Sequence, residues 1–294
     1  MIRAGIVGAT GFTGGELCRL LLRHPHVNIA WVLSTSQAGT SLASIHADLE
    51  GDTDLVCVAE PSDDVDCVFL CVDHGAASSL LVRYPWMMSR KVIDLSNEHR
   101  LESDSHDFVY GLPEAFRENI RSARHVANPG CFATAIQLGL LPLAAAGMIG
   151  DDVHVSAVTG STGAGRKAEP TVHFSWRTGN AQVYKPFTHQ HVPEIHRTLR
   201  ALQPSMSGDV LFIPQRGNFT RGILASMYTS CDVSESDVRA LFEEYYKDHP
   251  FVVVTEDSPD MKRVVNTNKA CVWGALRAGT LTLALTAAFC LCRR

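Results

Sequence analysis

The sequence is short of basic charge. Lysine and arginine number 26 against 31 aspartate and glutamate, a net charge of −5 at pH 7. No basic excess is available to neutralise a phosphate backbone, which excludes nucleic acid as the main partner. There is no CxxC pair. The nine cysteines, at 18, 57, 67, 71, 131, 231, 271, 290 and 292, are odd in number and lie mostly inside apolar runs. That argues against a disulfide framework and for a reducing, cytoplasmic compartment. No signal peptide is visible ahead of the strand-like run Ile2 to Val7. The longest uncharged run near an end, Ala278 to Cys292, has fifteen residues, three of them threonine. A bilayer needs ~18–20, so no membrane partner is expected.

What is present is globular. Hydrophobic residues make up 46% and charged residues 19% of 294, enough for a sizeable core and, by length, about two domains. Ile2 to Val7, Asn28 to Leu33, Asp66 to Val72, Lys91 to Leu95 and His125 to Asn128 read as strands. Helical stretches at about Thr13 to Arg23 and Ala76 to Val82 alternate with them. Continuous apolar strands suit a parallel sheet covered on both faces. Cys67 and Cys71 alternate within one such strand and read as packing. Pro129-Gly130 breaks the chain, and a long apolar helix follows from Cys131 to about Ala146. After Gly150, Val153 to Thr159, Asp209 to Ile213 and Leu224 to Thr229 read as longer strands, and Glu235 to Tyr246 as a helix capped by Ser234. The expected fold class is α/β: a Rossmann-like doubly wound parallel sheet plus an α+β domain with a more antiparallel sheet.

The strongest local motif is Gly8-Ala9-Thr10-Gly11-Phe12-Thr13-Gly14, a strand-to-helix turn with glycines at i, i+3 and i+6. Such a turn lets backbone approach a pyrophosphate, and the helix N-terminus offers free N–H groups to it. Gly8, Thr10, Gly11, Phe12, Thr13 and Gly14 are therefore expected to bind a dinucleotide. The second strand ends in Ser34-Thr35-Ser36, with no carboxylate to repel a 2′-phosphate. That favours NADP over NAD.

Cys131 opens a helix just after Pro129-Gly130. The helix dipole favours a thiolate there, and thiol plus nicotinamide is equipment for reducing acyl groups. His189-Gln190-His191-Val192-Pro193-Glu194 places two histidines and a carboxylate within six residues. Histidine can move protons near pH 7. The same set suggests a metal site, but no third ligand stands at a convincing spacing, so no metal is expected. Gly160-Ser161-Thr162-Gly163-Ala164-Gly165-Arg166 can form a nest of N–H donors for an anion.

Laid out together, these segments resemble the N-acetyl-γ-glutamyl-phosphate reductases of arginine biosynthesis. The carriers are Gly8 to Leu17 (GATGFTGGEL), Asp94 to Arg100 (DLSNEHR), Tyr110 to Glu114 (YGLPE), Ala127 to Thr134 (ANPGCFAT), Thr159 to Arg166 (TGSTGAGR), His189 to Ile195 (HQHVPEI) and Arg221 to Leu224 (RGIL). The resemblance implies NADPH-dependent reduction of an N-acyl-γ-glutamyl phosphate to its semialdehyde through a thioester on Cys131. His189 would serve as acid/base and His191 would join it in the catalytic set, with Glu194 orienting them or contacting substrate. Arg100, Asn128 and Arg166 would contact substrate, and Gly163 the cofactor. The partner would be a small acyl phosphate, its acyl group acetyl or a larger acid such as succinyl. A homo-oligomer, dimer or tetramer, is expected.

The resemblance divides the chain at 1–130, 131–265 and 266–294. The last segment lacks the family's closing D-N-L-x-K-G-A-A-G-Q-A-V-Q-N helix. After Lys269 it holds no acidic residue, a composition that a shifted reading frame would produce; the alternative is a divergent but genuine tail. Three rival readings follow. Aspartate-semialdehyde dehydrogenase shares the domain plan but not the HxHxPEI and YGLPE segments. A non-catalytic NADP-binding protein would result if the tail abolished turnover. A tail-anchored membrane protein would use Ala278 to Cys292.

Overall fold

Residues 1–231 and 233–287 are described in this computed structural model. The chain divides between Pro129 and Gly130 into two units, each with its own sheet.

In the first unit, short apolar runs form β1 (Ile2–Val7), β2 (Val27–Leu33), β3 (Cys57–Val58), β4 (Cys67–Leu70), β5 (Lys91–Asp94), β6 (Val109–Tyr110) and β7 (His125–Ala127). Their order is β3-β2-β1-β4-β5-β7-β6, and every pairing is parallel. The helices are α1 (Phe12–Leu22), α2 (Leu42–Ile45), α3 (Ala77–Arg83) and α4 (Pro113–Ser122). Val7, Val68, Leu70 and Val92 are buried in one core with Trp31 and Leu81. The chain leaves β1 for β2 on one side and returns to β4 on the other. The carboxyl ends of β1 and β4 therefore flank the switch point where open α/β sheets bind ligands. One expectation shifts: β4 ends at Leu70. Cys71 lies past the strand, half-buried, with its N–H donating to Val7 O at 2.9 Å.

The second unit opens with α5 (Cys131–Ala145) and continues through β8 (Val153–Thr159), α6 (Phe174–Arg177), β9 (Gln182–Val183), α7 (Val192–Leu202), β10 (Val210–Arg216), β11 (Ile223–Ser230), α8 (Glu235–Tyr246), β12 (Val252–Val254), β13 (Ala270–Arg277) and β14 (Thr280–Ala287). The sheet order is β12-β13-β14-β11-β8-β10-β9. It is mixed, with β8–β10 and β12–β13 parallel and the other pairs antiparallel. Helix α5 is apolar all round and buried from Phe132 to Ala144, as a helix at the centre of a domain must be. It packs on β8, β11, β13 and β14.

The segment set apart in the sequence as 266–294 is drawn into this sheet. Arg277 pairs with Thr280, and Ala278 and Gly279 carry φ of +50° and +73°. Those values are those of a two-residue type I′ hairpin turn. Strand β14 lies between β13 and β11, and its Leu281, Leu283 and Leu285 are buried. The threonine–leucine alternation of Thr280 to Leu285 is the period-two pattern of a strand with one face buried. The end of the proposed altered tail, residues 288–294, lies outside the described residues.

Candidate active site

The glycine turn is fixed by close approach. Gly8 has φ +78°, and a Cβ there would lie 2.2 Å from the carbonyl oxygen of Cys71. A Cβ at Gly14 would lie 2.4 Å from Gly8 O. Only hydrogen at both positions lets β1, the end of β4 and α1 meet. Gly11 caps α1 without a side chain, and the helix has no acidic residue in its first turn. The N–H groups of Phe12 and Thr13 at this helix start could hold an anion. His46 completes the turn: its Nε2 bonds Ala9 O at 2.8 Å, and its ring occupies the space beside Gly15. Arg19 anchors the following segment by pairing with Glu16 and Asp48. That hydrogen bond from Arg19 is the main reason the Asp48 carboxyl is lowered to about 2. At the end of β2, Ser34 is buried with its N–H on Val58 O at 3.2 Å, while Thr35 and Ser36 are exposed.

The loop after β5 locks three elements of the first unit. Asp94, fully buried, accepts from Ser96 N and Ser96 Oγ, both at 2.8 Å, and its Oδ2 lies 2.6 Å from His99 Nδ1. Glu98 caps α3, accepting from Ala77 N at 2.7 Å and Ser78 N at 3.0 Å. Burial works to raise the Glu98 pKa, but these bonds outweigh it and hold it below its ordinary value. Arg100 donates from Nε to Asn128 O at 2.9 Å and from Nη2 to Leu95 O at 3.1 Å. Asn128 is half-buried, with its N–H on Asp94 O at 2.7 Å.

In the second unit, Gly130 is the N-cap of α5 and Cys131 its first residue, half-exposed. Glu194 of α7 is 2% exposed, and its Oε2 accepts the Gly130 N–H at 3.0 Å. A Cβ on Gly130 would lie 2.3 Å from His191 Nε2 and 2.7 Å from Glu194 Oε1. His191 Nε2 stands 3.8 Å from the same carboxylate. The N–H of His191 donates to His189 Nδ1 at 3.2 Å. While that bond stands, the neutral His189 ring carries its proton on Nε2. His189 is buried among Phe132, Phe212 and Tyr184, with ring centroids 5.6, 5.4 and 5.8 Å away. Burial, and then the charge of Lys185, pushes its pKa down to about 4. It is therefore neutral near pH 7. The Tyr184 hydroxyl is pushed up to about 12, first by burial and then by the neighbouring Cys131 charge.

A family model described as the semialdehyde dehydrogenase NAD-binding domain matches residues 3–123, and one described as its dimerisation domain matches 131–289. The chain is 50% identical over 273 residues to an N-acetyl-γ-glutamyl-phosphate reductase of Parabacteroides distasonis, covering 92% of this chain and 85% of that one. The chain belongs to the semialdehyde dehydrogenase family.

A second reductase of this family, from Flavobacterium johnsoniae, is 49% identical over 287 residues, covering 96% of this chain and 88% of that one. An aspartate-semialdehyde dehydrogenase of Candida albicans, solved with NADP, superposes with TM-score 0.76 at 15% identity, over 98% of this chain and 93% of that one. At that identity the likeness speaks for the fold alone. The dimerisation-domain match runs across β13 and β14, past the point where the short motifs end.

Within this semialdehyde dehydrogenase the sequence-derived residues fall into groups. Gly8, Thr10, Gly11, Phe12, Thr13 and Gly14 share one turn, and Ser34 to Ser36 follow β2. His189, His191 and Glu194 are linked to one another by a hydrogen bond and close contacts, and they pack on Gly130 and Phe132, the residues on either side of Cys131. Arg100 is a buried tie to main-chain carbonyls. Gly163 and Arg166 are exposed, in and just after the 3₁₀ turn Ser161–Ala164. Among the described residues no cluster of His, Cys, Asp or Glu is arranged to hold a metal, and no helix is long and apolar enough to cross a membrane. Sequence reasoning missed His46, Tyr184, Arg177 and Arg216. None stands in a recognisable spacing to the motif it supports.

Proposed function

We propose that the chain reduces an N-acyl-γ-glutamyl phosphate to its semialdehyde, releasing phosphate. The observation that carries this reading is Cys131 at the start of a buried helix, with His191 and Glu194 packed on the preceding glycine and neutral His189 beside them. Cys131 attacks the acyl carbon as thiolate, a C–S bond forms, and phosphate leaves. The helix N-terminus favours that thiolate. His189 directs its Nε2–H at the carbonyl oxygen as negative charge builds there, and returns as the acid/base group of the later step. His191 and Glu194 hold the Gly130 turn and with it the sulfur. When bound, the nicotinamide cofactor supplies the hydride that takes the acyl group to the aldehyde. Sulfur donates poorly into the carbonyl, so a thioester accepts hydride better than an oxygen ester would.

The turn from Gly8 to Gly14, with no side chain at three of its positions, is shaped for a dinucleotide pyrophosphate. The absence of a carboxylate at Ser34 to Ser36 supports NADP, and Gly163 is assigned a cofactor contact. Arg100, Asn128 and Arg166 are assigned to the anionic ends of the substrate. The enzyme is read as a cytoplasmic homo-oligomer. The open face of the second sheet, where His154 stacks on half-exposed Tyr228 at 4.6 Å, is the surface proposed to meet a second copy.

The test is phosphate-dependent reduction of NADP⁺ with N-acetylglutamate semialdehyde, with Cys131→Ala as control. Turnover that needs phosphate and disappears in the variant supports the reading. Cofactor binding without turnover would replace it with a non-catalytic NADP-binding protein.

A further inference from the structure

Gly15 stands outside the spacing of Gly8, Gly11 and Gly14 and lies within α1, where glycine weakens a helix. Its reason is His46. A Cβ on Gly15 would lie 2.5 Å from His46 Cε1 and 2.8 Å from His46 Nδ1. The missing side chain is the seat of the imidazole ring. His46 is buried, and its Nε2 reaches Ala9 O at 2.8 Å across 37 residues of sequence. A carbonyl oxygen only accepts, so Nε2 carries a proton in this bond.

That bond fixes a peptide plane. In a trans peptide the carbonyl and the following N–H point in opposite directions. Holding Ala9 O on His46 therefore turns the Thr10 N–H away from the ring. Ala9 is fully buried, whereas Thr10 and Gly11 are half-buried, so the turn rises to the surface from the peptide that His46 holds. Glycines stand on both sides of this plane, at 8 and 11, and glycine restrains the backbone least. The segment that carries His46 is fastened independently. The His46 N–H donates to Leu42 O at 2.9 Å, and Leu42 N to Leu55 O at 2.8 Å. Two residues on, Asp48 pairs with Arg19 of α1. The ring is thus a fixed point against which a pliable turn is set.

We infer that His46 is a positioning residue for the cofactor: by clamping the Ala9–Thr10 peptide it presets the N–H donors of the turn for a pyrophosphate, and so sets cofactor affinity. This rests on the reading of Gly8 to Gly14 as a dinucleotide turn. Donors oriented before an anion arrives need no reorganisation when it binds. Without the clamp the carbonyl of buried Ala9 loses this donor, and the peptide between two glycines must be ordered by the ligand itself.

NADPH binding, followed by the fluorescence of the nucleotide, tests this without turnover. His46→Leu keeps apolar volume and removes the donor, and should raise Kd for NADPH by roughly ten-fold or more. His46→Gln, whose amide N–H stands near the place of Nε2, should recover part of the loss. Gly15→Ala leaves His46 in the chain but pushes its ring aside, and should weaken NADPH binding although alanine favours the helix. Competition by 2′-AMP, which has the adenosine end but no pyrophosphate, should be the same in all three variants as in the wild type. Asp48→Asn loosens the segment without touching the turn and should leave Kd for NADPH unchanged. In turnover, KM for NADP⁺ should rise in His46→Leu while kcat and KM for phosphate change less than about three-fold. Wild-type NADPH affinity in His46→Leu, or a loss confined to kcat, overturns the inference. So does an equal loss of 2′-AMP, or the same NADPH loss in Asp48→Asn, because either makes His46 only an anchor of its own segment. A wild-type chain that binds no NADPH overturns the dinucleotide reading and this inference with it; NADPH binding that His46→Leu leaves intact overturns the inference alone.

Discussion

The N–H of Gly130 donates to the buried carboxylate of Glu194 at 3.0 Å, across sixty-four residues of sequence. This bond fastens the turn before Cys131 to helix α7, which begins next to His191. It explains why a glycine precedes Cys131: any Cβ would strike His191 and Glu194.

Gly130→Ala should therefore lower kcat by about a hundred-fold or more, because displacement of reacting groups by about 1 Å costs that much. It should also cost ~1–3 kcal/mol of stability through overpacking. Steady-state rates and denaturant melts read the two effects. A variant with wild-type kcat would remove Gly130 from the account of the site.

His189 should make stability pH-dependent. Its pKa is pushed down to about 4 in the folded chain from an ordinary value of 6.5. Between those values the unfolded state holds more protons, so stability falls as pH drops from 6.5 to about 4 and is fully retained above. Urea melts across pH 4–8 should show this slope, and His189→Gln should flatten it. An identical slope in the variant would mean that other groups carry it.

Alkylation should discriminate among thiols. Cys18 and Cys67 are buried, and burial pushes both up to about 12. Cys131 is half-exposed at a helix start. Mass spectrometry after brief iodoacetamide treatment should find Cys131 modified ahead of Cys18 and Cys67. Modification in the reverse order would argue against its role.

Cofactor choice is open to one substitution. Thr35 is exposed at the end of β2, where a carboxylate would repel a 2′-phosphate and accept from a ribose hydroxyl. Thr35→Asp should move the NADP:NAD preference toward NAD by about ten-fold or more, as KM ratios report. No movement would place the 2′-phosphate elsewhere.

Strand β14 should behave as core. Leu285 is fully buried, so Leu285→Ala should cost about 2–5 kcal/mol. A loss within ~0.5 kcal/mol, the range of surface changes, would show that 270–287 are peripheral to the fold.

Much was legible because it is written locally. A strand, three glycines at fixed spacing and a helix start specify the turn from Gly8 to Gly14. Pro129-Gly130 before an apolar stretch specifies the start of α5 at Cys131. Ser234 caps α8, accepting from Asp237 N, as its residue type requires. Periodicity and capping involve neighbours in sequence, so residue order suffices to read them.

Tertiary structure decided the rest. His46 packs against Gly15, Glu194 holds Gly130, and Tyr184 and Arg216 join His189 through contacts between segments that no spacing connects. Strands β13 and β14 became part of a sheet because β11 and α5 were there to receive their leucines. The sequence by itself determined where the main helices and strands lie and which residue types stand at the glycine turn and at the start of α5. Only packing between distant segments decided how His189 titrates, because burial among Phe132, Phe212 and Tyr184, not residue type, pushes its pKa down to about 4.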